Sequence, residues 1–310
     1  MSCEQQDIRY VPLNNKMQKT IDIIGVQIDS GALKRGVSMG PLSIRQADLC
    51  EKLSDMGLSW RDKGDIIPIS GGASTEQLKN YEQIAEANGR LYKETCESLE
   101  RGAFPVILGG DHSVAAGSVP AVANTYTGAG LIWIDAHGDF NDDQSTNSGN
   151  MHGMPFSVVC GRGPDKMAPY AGSFINPEYA VLVGARDIEA AESRRLKAAG
   201  VTVFTIHDID FKGMPLIMME AIEIAAAGGG GIHVSFDMDA VTPDAAPGVG
   251  TPVHSGLTVR EAFLAMEMLH QSGKALALDM VEVNPILDDR NRTGILACEL
   301  ILSLLGKTIF

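Results

Sequence analysis

One short stretch of the chain carries three side chains that can bind a metal ion, Asp135, His137 and Asp139. They follow Leu131-Ile132-Trp133-Ile134, an apolar run typical of a short buried strand. Side chains alternate faces along an extended backbone, so residues two apart point the same way. Two carboxylates that converge with an imidazole on one point repel each other unless a cation lies between them. The spacing therefore favours a metal site over a strand end whose charges face water.

More candidate ligands stand just after other predicted strands. In an open α/β sheet, ligands gather beyond the carboxyl ends of the strands, so these side chains should meet at one edge. Four carboxylates and two imidazoles carry too much negative charge for one ion and suit two divalent cations about 3.5–4 Å apart. None of the five cysteines belongs to the group, and oxygen-rich ligation favours Mn²⁺ over structural Zn²⁺. The six predicted ligands are His112, Asp135, His137, Asp139, Asp237 and Asp239, with Glu282 at the end of a further strand.

The elements that position these side chains alternate along the chain. Continuously apolar strands separated by helices predict an α/β protein whose mainly parallel sheet, of about eight strands, is covered on both faces. No linker divides the 310 residues, which predicts one domain spanning residues 1–310. The predicted strands are 20–26, 65–69, 104–108, 131–134, 179–184, 201–206, 232–236 and 275–283. The predicted helices are 41–57, 74–101, 189–199, 215–227, 258–271 and 293–305, with one more after His112.

Composition restricts the possible partners and compartment. A net charge of −14 argues against nucleic acid and anionic membranes as partners, and it is compatible with a cationic substrate. The cysteines are scattered and form no CxxC pair, which predicts a cytoplasmic protein. No apolar run is long enough to cross a bilayer, and the polar N-terminal segment Met1–Asp7 lacks a signal-peptide pattern.

Three segments resemble the metal-binding motifs of the ureohydrolases. Others are similar to the motifs of bacterial-type arginases within that family. The likeness runs from about Ile24 to Gly306, and the motifs occur in the family's order. The ureohydrolase motifs are Gly109-Gly110-Asp111-His112-Ser113, DAHGDFN at 135–141 and SFDMD at 235–239. The arginase motifs are SGNMHG at 148–153, Gly250-Thr251-Pro252 followed by Gly256-Leu257-Thr258, and EVNP at 282–285.

This resemblance implies a three-layer α/β/α sandwich, a bridged pair of Mn²⁺ ions, and hydrolysis of the guanidinium group of L-arginine to L-ornithine and urea. It also implies a homo-oligomer. Asp135 and Asp237 would bridge the two ions. The remaining ligands would be His112 and Asp139 on one ion, and His137 and Asp239 on the other.

The same resemblance implies roles for residues around the metals. Asp139 would also accept a proton, and Glu282 would pair with the guanidinium, whose planar fork matches a carboxylate. His152 would protonate the departing amine or carry protons to solvent. The further substrate-binding candidates are Asn141, Ser148 and Asn150 for an α-carboxylate, Glu189 and Glu192 for an α-amino group, and Thr251.

The chain departs from the family pattern at a few positions, and other functions stay open. Glu189 stands where Asp is usual, and His254 and Ser255 stand where small or apolar residues are common. A sibling enzyme acting on agmatine or a guanidino acid would share the metal centre, but the SGNMHG loop supplies donors for a carboxylate that agmatine lacks. An inactive arginine-sensing protein would not need every ligand, His152 and Glu282. A zinc deacetylase of similar architecture would need one metal only.

Overall fold

Eight parallel strands form one sheet in the computed structural model, which describes residues 19–308. Cys3 and the N-terminal segment Met1–Asp7 lie outside the described residues. Across the sheet the strands follow the order β2-β1-β3-β8-β7-β4-β5-β6. The strands are β1 Ile21–Val26, β2 Trp60–Ile66, β3 Phe104–Leu108, β4 Gly130–Ile134, β5 Ala180–Ala185, β6 Thr202–Thr205, β7 Ile232–Asp237 and β8 Ala275–Val281.

Helices cover both faces of the sheet, because alternate residues of each buried strand pack on opposite sides. In β4, for example, Ile132 and Ile134 belong to one apolar cluster, while Leu131 and Trp133 belong to another. This arrangement confirms the predicted α/β/α sandwich. The helices are α1 Gly40–Arg45, α2 Leu49–Asp55, α3 Tyr81–Glu100, α4 Ala115–Thr125, α5 Pro155–Val159, α6 Ala190–Ala199, α7 Ile206–Lys212, α8 Met214–Ala225, α9 Val259–Ser272 and α10 Arg292–Leu304.

The first face carries α1, α2, α7, α8, α9 and α10, whose apolar side chains pack with Ile132 and Ile134. The second face carries α3, α4, α5 and α6. Their apolar side chains pack around Leu131 and Trp133 of β4, or against residues of β1, β3 and β8. Within residues 19–308, no helix has the length and apolar character needed to cross a membrane.

The sequence prediction was wrong in several places before β3. The helix predicted over 41–57 is two short helices, because the backbone turns through a left-handed residue, Asp48 (φ 61°), between them. The second strand runs over Trp60–Ile66 instead of 65–69. The residues at 74–77 cap a turn that precedes α3: Ser74 accepts the Asn80 N–H and Thr75 accepts the Leu78 N–H. The helix therefore starts at Tyr81.

The four strands that end in candidate site residues lie side by side. β3, β8, β7 and β4 are consecutive in the sheet, and all run in the same direction. The segments after these strands consequently meet at one edge, in the middle of the molecule. Residues as distant in the sequence as His112 and Glu282 come into contact there.

Candidate metal centre and substrate pocket

His112 faces three carboxylates at the carboxyl edge of the sheet. It starts a short 3₁₀ turn after β3, and Asp111 caps that turn by accepting the Ser113 N–H at 3.0 Å. The His112 Nδ1 atom lies 3.1 Å from Asp135 Oδ2, and 3.2 Å from Oδ2 of both Asp139 and Asp237. That nitrogen is buried and has no hydrogen-bond partner among the described residues.

A second group adjoins the first and shares Asp135 with it. His137 Nδ1 lies 3.1 Å from Asp239 Oδ2 and 3.5 Å from Asp135 Oδ1. Thr251 donates its hydroxyl proton to Asp239 Oδ2 at 2.9 Å, so this predicted substrate contact touches a candidate ligand. The two sets whose ligand atoms lie close enough to hold an ion are His112, Asp135 and Asp139, and Asp135, His137 and Asp239.

Burial and mutual repulsion disfavour the charged form of three of the four aspartates. Burial first, then the charge of Asp135, raises the pKa of Asp139 to about 6. Burial and the neighbouring aspartates likewise raise the pKa of Asp237 and Asp239. Burial opposes the charged imidazole of His112, yet its three carboxylate neighbours raise its pKa well above the usual value. Cations would relieve this repulsion and take the unpartnered nitrogen of His112, so the residues present fit two divalent ions.

Two site residues adopt backbone conformations that cost energy. Asp139 has φ 48° and Glu282 has φ 62°, in the left-handed region that side chains with a Cβ rarely adopt. Such positions cost on the order of 1–3 kcal/mol and persist where the surroundings hold them. The Glu282 N–H donates to Gly110 O at 2.9 Å, which ties this turn to the loop that carries His112.

Glu282 and His152 contact each other beside the six candidate ligands. Glu282 Oε1 accepts the His112 backbone N–H and lies 3.0 Å from His152 Nδ1. The other oxygen, Oε2, is buried without a hydrogen-bond partner among residues 19–308. Burial disfavours the charged form of His152, but the hydrogen bond and charge of Glu282 outweigh it and raise the pKa of His152 to about 9. His152 therefore carries a proton at neutral pH.

The loop between β4 and α5 holds the three residues expected to bind a carboxylate. Asn141 Oδ1 accepts the Ser145 hydroxyl at 2.9 Å, and Ser148 Oγ accepts the Asn150 N–H at 3.1 Å. Both contacts use acceptor atoms, so the Asn141 amide and the Ser148 hydroxyl keep protons to donate. Asn150 is buried, and its Oδ1 accepts from Lys79 at 3.3 Å.

Glu192 and Glu189 differ sharply in their surroundings. Glu192 is buried at the start of α6, where it accepts the Phe140 N–H at 2.7 Å and the Glu189 N–H at 3.3 Å. Burial raises its pKa to about 8. Gly138 makes room for this carboxyl group, since an added Cβ would lie 2.4 Å from the Glu192 carboxyl carbon. Glu189 is exposed, and its Oε2 accepts from Asn147 at 3.1 Å.

Sequence reasoning missed the contribution of Trp133 and Arg186. The sequence pattern places Trp133 in a strand and gives it no role in the site, yet it stacks on the His112 ring at 3.9 Å and donates to Asp135 Oδ2 at 2.9 Å. Arg186 donates to the backbone oxygens of Asp239 and Val253 at 2.7 and 2.8 Å, which fixes the loop after β7. Nothing in the local sequence pattern signals either contact.

The residues that departed from the family pattern have structural contacts of their own. His254 supplies its backbone oxygen to Arg186 at 3.1 Å, and Ser255 has a left-handed backbone with φ 60°. Asp142, in the acidic loop, forms an ion pair with Arg195. The carboxylate of Asp142 is thus already paired inside the protein.

Comparisons with known proteins agree on one family. A family model described as "Arginase family" matches residues 19–306. An arginase of Bacillus subtilis is 44% identical over 297 residues, which cover 94% of this chain and all of that protein. An arginase of Staphylococcus aureus is 40% identical, with 94% of this chain and 98% of that protein covered. The native crystal structure of the Bacillus caldovelox arginase aligns with a TM-score of 0.91 at 41% identity, and covers 94% of this chain and all of that one.

Proposed function

This chain belongs to the arginase family, and on that premise we propose that it hydrolyses the guanidinium group of L-arginine to L-ornithine and urea. One observation carries the proposal. Two overlapping groups of imidazoles and carboxylates, buried except for the half-buried His137, converge at the centre of the sheet edge. An acid–base pair, His152 and Glu282, lies directly beside them. A guanidinium is resonance-stabilised and a poor electrophile, so its hydrolysis needs both a strong nucleophile and a proton donor.

The six candidate ligands would hold two Mn²⁺ ions, with Asp135 and Asp237 shared between them, and the ions would supply the nucleophile. Ions of this kind would acidify a water molecule and so supply a strong nucleophile at neutral pH. Oxygen-rich ligation with two imidazoles supports manganese over a structural zinc ion. Asp237 lies next to both groups: its Oδ2 is 3.2 Å from His112 Nδ1, and burial together with the charges of Asp239 and Asp135 raises its pKa.

Glu282 would hold the guanidinium. Its Oε1 is occupied by the His112 N–H and His152, whereas its Oε2 is buried and unpartnered within the described chain. An unpartnered buried carboxylate oxygen is costly, and a guanidinium N–H would satisfy it with a charge-assisted bond. This contact would fix the guanidinium carbon over the six ligands.

His152 and Asp139 would move the protons. His152 is charged at neutral pH and so has the proton that the departing amine requires. Its side chain is 17% exposed, which leaves a route for the proton to be replaced from solvent. Asp139, within the ligand group, would accept the proton lost by the attacking water.

The far end of the pocket would distinguish arginine from related amines. Asn141, Ser148 and Asn150 supply donors for an α-carboxylate, and Glu192 with Glu189 would face the α-amino group. Thr251 would border the pocket from the Asp239 side. Agmatine has no carboxylate and would leave these donors without a charged partner.

Urea formation from three substrates tests this proposal. Manganese-loaded protein is incubated separately with L-arginine, agmatine and 4-guanidinobutyrate, with Asp237→Asn as a control for metal-dependent turnover. Two lost charge-assisted bonds of roughly 1.5–3 kcal/mol each predict a preference for arginine in kcat/KM of at least about 10²-fold. Equal efficiencies, or a preference for agmatine, would assign the chain to a sibling ureohydrolase.

We also propose that the protein is a cytoplasmic homo-oligomer. The free thiols of Cys50, Cys96, Cys160 and Cys298 support a reducing compartment. Light scattering coupled to size exclusion would measure the number of subunits, and a monomer at micromolar concentration would contradict this part of the proposal.

A further inference from the structure

A carboxylate that is not among the six candidate ligands lies buried in the middle of the sheet. Asp279 of β8 is fully buried, and neighbours Ile107 of β3 on one side and Ser235 of β7 on the other. Burying a carboxylate is unfavourable unless hydrogen bonds compensate it. Its Oδ2 accepts from Ser118 at 2.8 Å, is paired with His233 Nε2 at 2.9 Å, and lies 3.4 Å from the Ser235 hydroxyl.

Ser235 connects this carboxylate to the metal centre. Its Oγ lies 2.9 Å from His112 Nε2, and all three side chains are buried. The serine hydroxyl has a single proton. When that proton is donated to Asp279, the serine oxygen accepts the Nε2–H of His112. The chain of hydrogen bonds therefore selects the His112 tautomer whose Nδ1 lone pair faces Asp135, Asp139 and Asp237.

Stacking alone does not set this orientation. The Trp133 ring lies 3.9 Å from the His112 ring at an interplanar angle of 9°, which fixes the plane of the imidazole. A ring flipped within that plane would place a carbon atom where Nδ1 now stands, and would stack equally well. The groups at the two ring nitrogens distinguish the orientations: the three carboxylates at Nδ1 and the Ser235 hydroxyl at Nε2.

We propose that Asp279 is a positioning residue for the metal ligand His112 and that it acts through Ser235. The inference rests on the metal centre of the proposed function and extends it beyond the ligands. His233, on the neighbouring strand β7, forms a buried pair with the Asp279 carboxylate and keeps it in place. This role would account for the burial of both His233 and Asp279 inside the sheet.

Ser118 provides a matched control. It lies on α4, is fully buried like Ser235, and donates to the same oxygen of Asp279. Its hydroxyl contacts the carboxylate from the helix side and does not touch His112. Ser118→Ala and Ser235→Ala thus remove the same group from the same carboxylate, but only the second interrupts the path to the metal ligand.

Manganese titration of chelator-treated protein tests the proposal. Isothermal titration calorimetry gives Mn²⁺ affinities for the wild type and both variants, and the melting temperature in chelator reports on folding. Ser235→Ala should weaken one of the two sites by about 10–100-fold, while Ser118→Ala should change both by less than about threefold. Unchanged affinity in Ser235→Ala, or an equal loss in the two variants, would overturn the proposal. Failure of the wild type to bind two Mn²⁺ would overturn the metal centre itself.

A double-variant comparison tests the route. The Oδ1 atom of Asp279 has no hydrogen-bond partner in the described chain. An asparagine at this position can place its amide nitrogen where Oδ1 now lies, and its oxygen can still accept the bonds made to Oδ2. Asp279→Asn should weaken Mn²⁺ binding in the wild type by about tenfold, and by much less when Ser235 is already alanine. Equal losses in both backgrounds would show that Asp279 does not act through Ser235.

Discussion

His152 contacts Glu282 rather than a candidate metal ligand, and this placement separates its expected role from metal binding. His152→Asn should keep two Mn²⁺ per chain and lower kcat by about 10²-fold or more, in the range for a lost general acid. Steady-state kinetics and metal analysis of the same preparation measure both quantities. His207→Asn serves as the control, because His207 is exposed on α7; it should leave both kcat and the number of bound Mn²⁺ ions unchanged. Normal turnover of His152→Asn with metals bound would remove the assigned role.

The pKa of His152 sets the pH at which this role ends. Glu282 raises it to about 9, so the proton is present below that pH and is lost as the pH rises through it. The ratio of wild-type kcat to His152→Asn kcat should therefore be constant from pH 7 to 8 and should fall above about pH 9. A ratio that rises with pH would contradict an acid role.

The residues of the carboxylate loop make a separate prediction. The Ser148 hydroxyl and the Asn141 amide oxygen accept hydrogen bonds within the loop, so both side chains still have protons to donate. The double substitution Ser148→Ala with Asn141→Ala should lower kcat/KM for arginine by about 10²-fold or more and change agmatine turnover much less. The ratio of the two efficiencies is the measurement. Equal losses for both substrates would indicate damage to the loop rather than lost recognition.

The start of α6 contains a buried carboxyl group, Glu192, whose ionisation opposes folding. Glu192 accepts the N–H groups of Phe140 and Glu189, and its pKa is about 8 against an ordinary value of 4.5. The folded state therefore binds more protons than the unfolded state between these values, and stability falls as pH rises from about 4.5 to 8. Glu192→Gln has no proton to lose.

Thermal unfolding of chelator-treated protein at pH 5 and pH 8 checks this sign. The melting temperature of Glu192→Gln minus that of the wild type should increase from pH 5 to pH 8. Exposed Glu178, exchanged for glutamine, serves as the control and should show no such trend. A difference that shrinks toward pH 8 would mean that the carboxylate stabilises the fold when it is charged.

Prediction from sequence worked best for elements whose local and global signals agree. β3 and β4 are short, continuously apolar and buried on both faces, so the local sequence pattern predicts their positions. The segment before β3 was misread, because Ser74 and Thr75 make the local hydrogen bonds of a helix cap in a turn. The edge strand β2, Trp60–Ile66, carries mostly exposed polar residues and has no apolar pattern to reveal it.

The candidate site followed the same division. Asp135, His137 and Asp139 lie close together as alternation predicts, but β4 ends at Ile134 and Asp139 has a left-handed backbone with φ 48°. The strand order then brings in the remaining candidate ligands. Contacts that depend on side-chain packing between strands, such as Trp133 on His112 or Ser235 on Asp279, have no periodic signal. They required the three-dimensional structure.

At the scale of the whole molecule, the metal centre concentrates buried negative charge in the middle of the sheet. Metal ions that neutralise this charge bind the folded state and not the unfolded one, so they should stabilise it. At a free concentration of 100 times Kd, each site contributes about 2.7 kcal/mol. Mn²⁺ should therefore raise the melting temperature of chelator-treated protein by at least about 5 °C. Differential scanning calorimetry measures this shift, which Asp237→Asn should reduce; an unchanged melting temperature in the wild type would argue against metal binding there.

The strand order determines when the candidate metal sites can form during synthesis of the chain. Within residues 19–308, β8 comes last in the chain, yet it lies in the middle of the sheet between β3 and β7. Until it emerges from the ribosome, the strands form two separate groups, with His112 attached to one and the aspartates to the other. Of the two candidate sets, only His112, Asp135 and Asp139 span both groups, whereas Asp135, His137 and Asp239 all follow β4 and β7. A stalled chain that ends near residue 270 should therefore retain at most one manganese ion, whereas a released chain that includes β8 should retain two.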